Sequence, residues 1–199
     1  GDTMLDRYHH GYSNNLNSTA PVPVMKVIRS EESPGASAHI ALGLNSLGMD
    51  VRFHCSIGDD PEGSSISNML STEGISTDQI IVVQSRMTLT KIRFYGSRES
   101  LLERSQILLQ ADRGPQEPLS SDVSEALATS ALASLKDSCA LVISDYDKGV
   151  IDASGSHLLI RKAHKIGIPV IVDPKLTGLE KSRNATVVLF EIRGLELLR

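Results

Sequence analysis

Three short segments hold most of the side chains that could do chemistry. Ser144-Asp145-Tyr146-Asp147-Lys148-Gly149 groups two carboxylates, a phenol and an ammonium. Asp173-Pro174-Lys175 adds a carboxylate and a cation, and Gly1-Asp2-Thr3-Met4-Leu5-Asp6-Arg7-Tyr8 adds two carboxylates and an arginine in what reads as an opening loop. Lysine ammoniums suit an anionic ligand as point charges, and aspartates accept hydrogen bonds from sugar hydroxyls. Lys148 and Lys175 with Asp6 and Asp145 therefore match a phosphorylated polyol. Any one segment also reads as a helix cap or a solvated turn. What sets them apart is their place at the ends of buried strands.

Those strands are legible as apolar runs without alternation. Ala140-Leu141-Val142-Ile143 precedes the first segment and Pro169-Val170-Ile171-Val172 precedes the second, the pattern of parallel strands covered on both faces. An open α/β sheet binds its ligand at the carboxyl ends of its strands. The rest of the chain alternates in the same way. Helices are predicted over Ser37–Leu47, Asp60–Glu73, Ser121–Lys136 and Asp152–Lys165, with strands over Val51–Ile57, Asp78–Val83, Cys139–Ser144, Ile168–Val172 and Thr186–Leu189. Pro61 suits a first helical turn, and Gly48 and Gly74 suit helix ends.

Two further stretches do not belong to that layer. Ala20–Arg29 carries Pro21 and Pro23, which confine it to an edge or lid strand. Thr88–Tyr95 and Gln106–Ala111 read as a hairpin with a long connection over 96–104. The expected architecture is α/β: a Rossmann-like, doubly wound, mostly parallel sheet with a small antiparallel β-lid, the lid insertions lying at 12–33 and 86–113. The apolar residues Val22, Val24, Val27, Ile92, Phe94, Ile107 and Leu109 of the lid need cover, which points to a homodimer formed through it.

Composition narrows the class. A chain of 199 residues fits one domain, and 20 Lys plus Arg against 24 Asp plus Glu give a net charge of −4, unlike a nucleic-acid binder. No apolar stretch is long enough to span a membrane, and no signal-peptide pattern is present, so a cytoplasmic protein is expected. Cys55 and Cys139 are expected to be buried, reduced and on separate strands. Phosphate-loop, dinucleotide, zinc-protease and CxxC motifs are absent. Gly35-Ala36-Ser37-Ala38-His39 is a weak match to a serine nucleophile elbow, and Ser30–Pro34 before it does not read as the buried strand an elbow needs.

Taken in order, Gly1–Tyr8, Ala20-Pro21-Val22-Pro23-Val24, Pro34-Gly35, Thr90-Lys91-Ile92-Arg93, Ser144–Gly149 and Asp173–Lys175 resemble the ribokinase-like carbohydrate kinases. Within them the closest resemblance is to the heptose 7-phosphate kinase domains of bacterial kinase/adenylyltransferases. The resemblance spans nearly the whole chain. It implies ATP- and Mg2+-dependent phosphorylation of the anomeric hydroxyl of D-glycero-D-manno-heptose 7-phosphate, a step towards lipopolysaccharide core sugars. It also implies a β-lid that often pairs two subunits.

By position, Asp6 would bind sugar hydroxyls, Gly35-Ala36 would form the hinge, and His39 would stand where the family has a sugar-binding Asn. Lys91 would reach down from the lid. Asp145, Lys148, Asp173 and Lys175 would face phosphate or substrate. Ala36 replaces the second of two glycines, Gln110 replaces a lid arginine, and the family's Mg-ATP motif Asn-x-x-Glu would fall on Glu191 and Gly194. The resemblance puts the catalytic-base aspartate and the Gly-rich anion hole after Arg199, and one strand before Gly1. The chain is thus expected to be the N-terminal part of one kinase domain, over 1–199. It would carry no catalytic residue, bind ATP and Mg2+ unproductively and be inactive alone. A non-catalytic sugar-phosphate-binding remnant and a kinase for another sugar or nucleoside remain open.

Overall fold

The structure is a computed structural model, and it describes residues 1–97 and 105–197. It contains strands β1 (Thr3–Leu16), β2 (Pro23–Ala36), β3 (Cys55–Gly58), β4 (Ile80–Val83), β5 (Thr90–Ser97), β6 (Gln106–Arg113), β7 (Leu141–Asp145), β8 (Val170–Pro174) and β9 (Val187–Val188). The helices are α1 (Ser37–Ser46), α2 (Pro61–Thr72), α3 (Ser121–Ser134), α4 (Ala153–Lys165) and α5 (Ile192–Leu197). The long connection predicted over 96–104 lies almost wholly outside the described residues.

Two parallel pieces make the core layer: β3 beside β4, and β7–β8–β9. Gly1 and Asp2 run between them. The Gly1 amine donates to the His54 carbonyl at 2.9 Å and the Asp2 N–H donates to the Ser144 carbonyl at 3.1 Å. One core cluster joins Leu5 to Ala38 and Ala41 of α1, Phe53, Cys55 and Ile57 around β3, and Ile66 and Leu70 of α2. A second packs Ile143, Val170 and Val172 against Leu135 after α3 and Leu159, Ile160 and Ala163 of α4. Burial on this scale, at about 25 cal/mol per Å² of apolar area, is what holds such a layer together. The fold class agrees with the sequence reading, and so does the order of elements from α1 to β9.

Local signals account for the helix ends. The Asp60 carboxylate accepts the Gly63 N–H at 2.8 Å with Pro61 in the first turn, and Asp152 accepts the Gly155 N–H at 2.7 Å.

The lid is a four-stranded sheet in the order β2-β1-β5-β6. Two antiparallel ladders, β1–β2 and β5–β6, are joined by a parallel β1–β5 pairing. Thr3–Tyr8, read from sequence as an opening loop, is the first half of β1, paired with β2 throughout and with β5 from Leu5 onward. Its polar residues hid the strand because one lid face carries charged groups. Pro34 and Gly35, read as a break, continue β2 to Ala36. Proline is tolerated there because β2 is the sheet edge. A strand therefore does precede Ser37, but Ser37 is buried with its hydroxyl unpartnered, so no activated nucleophile results. Cys55 is buried in β3 as expected, whereas Cys139 is exposed, because β7 begins two residues later at Leu141.

Candidate functional site

A cleft of about 820 Å³ opens between the lid and the carboxyl ends of β7 and β8. Lys91, Lys148, Asp173 and Lys175 all line it, joined by Asp112, Tyr146 and Glu191. Its volume lies in the usual range for small-molecule sites. Residues far apart in sequence reach it for one reason: β7 and β8 run parallel, with Ser144 beside Asp173 and Asp145 beside Pro174, so their following loops emerge side by side.

Charge in the cleft is unevenly matched. Among the described residues no carboxylate lies within 4.0 Å of the ammonium of Lys91, Lys148 or Lys175. Two arginines nearby, Arg7 and Arg113, are paired instead. Arg7 contacts Glu32 at 2.7 Å and Glu62 at 3.2 Å, and Arg113 contacts Glu62 at 3.3 Å, tying three lid strands to the first turn of α2.

Asp6 sits on β1 opposite Lys91, with its Oδ1 held by Arg93 at 2.6 Å. Arg93 itself lies over the Tyr8 ring, 5.3 Å from its centroid. Gly35 is required beside this pair, because a Cβ there would stand 2.2 Å from Asp6 Oδ2. Asp6, Gly35 and Ala36 do not line the cleft, and His39 is exposed on α1, away from it.

Asp145 has a different occupation from the one expected. Its side chain has no exposure, and Lys181 Nζ stands 3.1 Å from its carboxylate and 3.0 Å from that of Asp147. Burial pushes the Asp145 carboxyl up, against the pull of Lys181. Burial also opposes the Lys181 charge, but hydrogen bonds to Asp147 and Asp145 outweigh it and raise that ammonium.

Asp2 is the other buried carboxylate. It accepts backbone N–H groups from Tyr146 at 2.7 Å, Lys148 at 3.1 Å and Val150 at 3.2 Å, so it shapes the loop that carries Lys148. Sequence reasoning missed this role, and missed Lys181 altogether, because both act through partners far away in the chain. Arg93 could have been found: it lies two residues from Lys91 on one strand and therefore on the same face.

The residues present do not make a magnesium site by themselves. Gly194 offers no side-chain oxygen, Glu191 stands exposed, and no three His, Cys, Asp or Glu side chains converge among the described residues. No helix among the described residues is long and apolar enough to cross a membrane.

A mostly parallel α/β layer, a β-lid over its strand ends and a cleft between them define the ribokinase-like sugar-kinase fold. Solved structures agree. A carbohydrate kinase from Agrobacterium tumefaciens superposes with a TM-score of 0.68 at 14% identity, covering 94% of this chain and 58% of that one. Fructokinase with bound ATP from Xylella fastidiosa gives 0.63 at 18% identity, covering 100% and 58%. The profile of the pfkB family carbohydrate kinases matches residues 1–198, and the chain belongs to that family. Among curated relatives, the bifunctional protein HldE of Actinobacillus succinogenes is 36% identical and that of Escherichia coli O157:H7 35% identical, each match covering 94% of this chain. The chain spans about 37% of the length of these relatives.

Proposed function

We propose that this chain supplies the acceptor-sugar side of an ATP-dependent kinase that phosphorylates the anomeric hydroxyl of D-glycero-D-manno-heptose 7-phosphate. The supporting observation is the cleft at the ends of β7 and β8, where three lysines without carboxylate partners converge. Phosphoryl transfer depends on positioning and charge stabilisation around an in-line displacement. The acceptor oxygen attacks the γ-phosphorus, the bond to the ADP oxygen breaks, and the hydroxyl proton leaves to a base. The part assigned to this chain is to hold the acceptor. Lys148 and Lys175 carry its phosphate charge and Lys91 closes over it from the lid, while Asp6, oriented by Arg93, meets hydroxyls as the lid comes down. The transfer machinery itself is assigned to residues outside this chain. Such chemistry on ATP and a sugar phosphate belongs in the cytoplasm.

Calorimetry with the phosphorylated and free sugars tests the reading. Lys175→Ala should weaken binding of heptose 7-phosphate roughly 10- to 100-fold, the worth of one charge-assisted hydrogen bond. Binding of the free heptose should change little; equal losses contradict the phosphate role. Purified polypeptide of confirmed 199-residue mass should bind sugar phosphate without magnesium-dependent ATP turnover, and turnover would refute that division of labour.

We also propose that the lid pairs with the lid of a second copy. Val22, Val24, Val27, Ile107 and Leu109 are exposed on it, an apolar surface of the kind that marks an interface. Light scattering at tens of micromolar should show a dimer or larger, and Val24→Asp should shift it towards monomer.

A further inference from the structure

We infer that Tyr146 is a positioning residue for Lys175: its ring holds the Lys175 ammonium in the cleft without neutralising it, ready for the phosphate of the acceptor. This inference rests on the proposed sugar-phosphate site. Lys175 Nζ lies 4.8 Å from the centroid of the Tyr146 ring, a cation-π distance. Both side chains line the cleft.

The two are fixed from opposite sides. Asp2 Oδ2 accepts the Tyr146 N–H at 2.7 Å, and the same carboxylate also holds the N–H groups of Lys148 and Val150. Lys175 donates its backbone N–H to the Asp145 carbonyl at 3.0 Å, which ties the end of β8 to the end of β7. Neither the ring nor the start of the lysine side chain can drift alone.

The choice of partner has a consequence for charge. A carboxylate beside Lys175 would cancel its charge, and an incoming phosphate would have to displace it. Lys181 is in that state, held between Asp145 and Asp147. The π-face attracts the ammonium through its quadrupole yet leaves the whole positive charge and the N–H donors for an anion. Thus two lysines near one loop have opposite roles: Lys181 is spent on structure and Lys175 is kept available. Asp173 and Glu191 also line the cleft but do not reach Lys175 within ion-pair distance.

Two measurements on the 199-residue chain test this. Reductive 13C-methylation of the lysines, with the Lys175 signal assigned through Lys175→Arg, should show Lys175 methyls shifted upfield by the Tyr146 ring. Addition of heptose 7-phosphate should move that signal. A Lys175 signal at the position of a free lysine overturns the pairing, with no need for a Tyr146 variant that folds. Calorimetry then reads the use of the pairing. Tyr146→Phe, which keeps the ring, should bind heptose 7-phosphate within about twofold of wild type, whereas Tyr146→Leu should bind it about fivefold more weakly, within the range of one cation-π contact. Free heptose should bind both variants as it binds wild type. Lys175→Gln should lose less affinity in the Tyr146→Leu background than in wild type. Equal losses for the two sugars, an equal loss in Tyr146→Phe, or full additivity overturns the inference. Wild type that binds no sugar phosphate overturns the proposed function and this inference with it. Binding indifferent to Tyr146→Leu overturns this inference alone.

Discussion

Ala36→Gly should make this protein more stable, against the usual rule that glycine weakens a fold. Ala36 ends β2, serves as the N-cap of α1 and adopts φ 53, ψ −129. That conformation is comfortable only for glycine, since a Cβ crowds the flanking carbonyls there. Holding a non-glycine residue in such a region costs about 1–3 kcal/mol, towards the upper end because ψ lies far from the left-handed helical well. Two terms oppose the gain. Glycine gives the unfolded chain more freedom, worth about 0.5–1 kcal/mol, and removing the buried methyl group loses up to about 0.8 kcal/mol. The balance is a stabilisation of about 1 kcal/mol, or roughly 2–4 °C in Tm for a chain of this size. Calorimetry or urea unfolding reads it directly. Ala36→Val should move the other way, because a branched Cβ worsens the same clash. A Tm lowered by Ala36→Gly would refute the strain argument.

Other perturbations follow from the same geometry. Burial, with the charges of the Gly1 amine and then Arg52 adding to it, depresses the His54 imidazole to about 4 from an ordinary 6.5. The folded state therefore takes up the proton later than the unfolded state, so stability is full above pH 6.5 and declines as pH falls towards 4. The ring is half-buried, so solvent screening reduces the loss to about 1–2 kcal/mol, and His54→Gln should flatten the stability profile over that window in urea titrations. Lys181→Met should cost about 3 kcal/mol in chemical denaturation, since it leaves Asp145 buried with no counter-charge; a loss under 1 kcal/mol would show that the pair is not needed. Glu62→Ala leaves Arg113 without its partner and Arg7 with Glu32 alone, both arginines being partly exposed, and should cost about 1 kcal/mol. Hydrogen exchange should then quicken first in β1 and β6, the strands that Glu62 ties to α2.

Composition and local pattern determined much of this protein in advance. The uninterrupted apolar runs of β7 and β8 can be satisfied only inside a covered parallel sheet, and that alone placed Lys148, Asp173 and Lys175 at strand ends. Asp60-Pro61 and Asp152 set helix starts through bonds spanning three residues, which is why α2 and α4 were legible. The alternation of Lys91 with Arg93 likewise put two cations on one lid face.

Tertiary structure alone decided what depends on distant partners. Thr3–Tyr8 looked like a loop because its polarity reflects a charged lid face, and only pairing with β2 and β5 makes it a strand. Asp145 and Lys148 are three residues apart and both candidates for the ligand, yet one is buried against Lys181 and the other opens into the cleft. Asp2 looked like one more solvated carboxylate, but it holds three amides more than 140 positions away. A side chain's charge and size are written in the sequence. Whether that charge is cancelled, desolvated or left free is fixed by which groups the fold brings within a few ångströms, and local pattern carries no record of them.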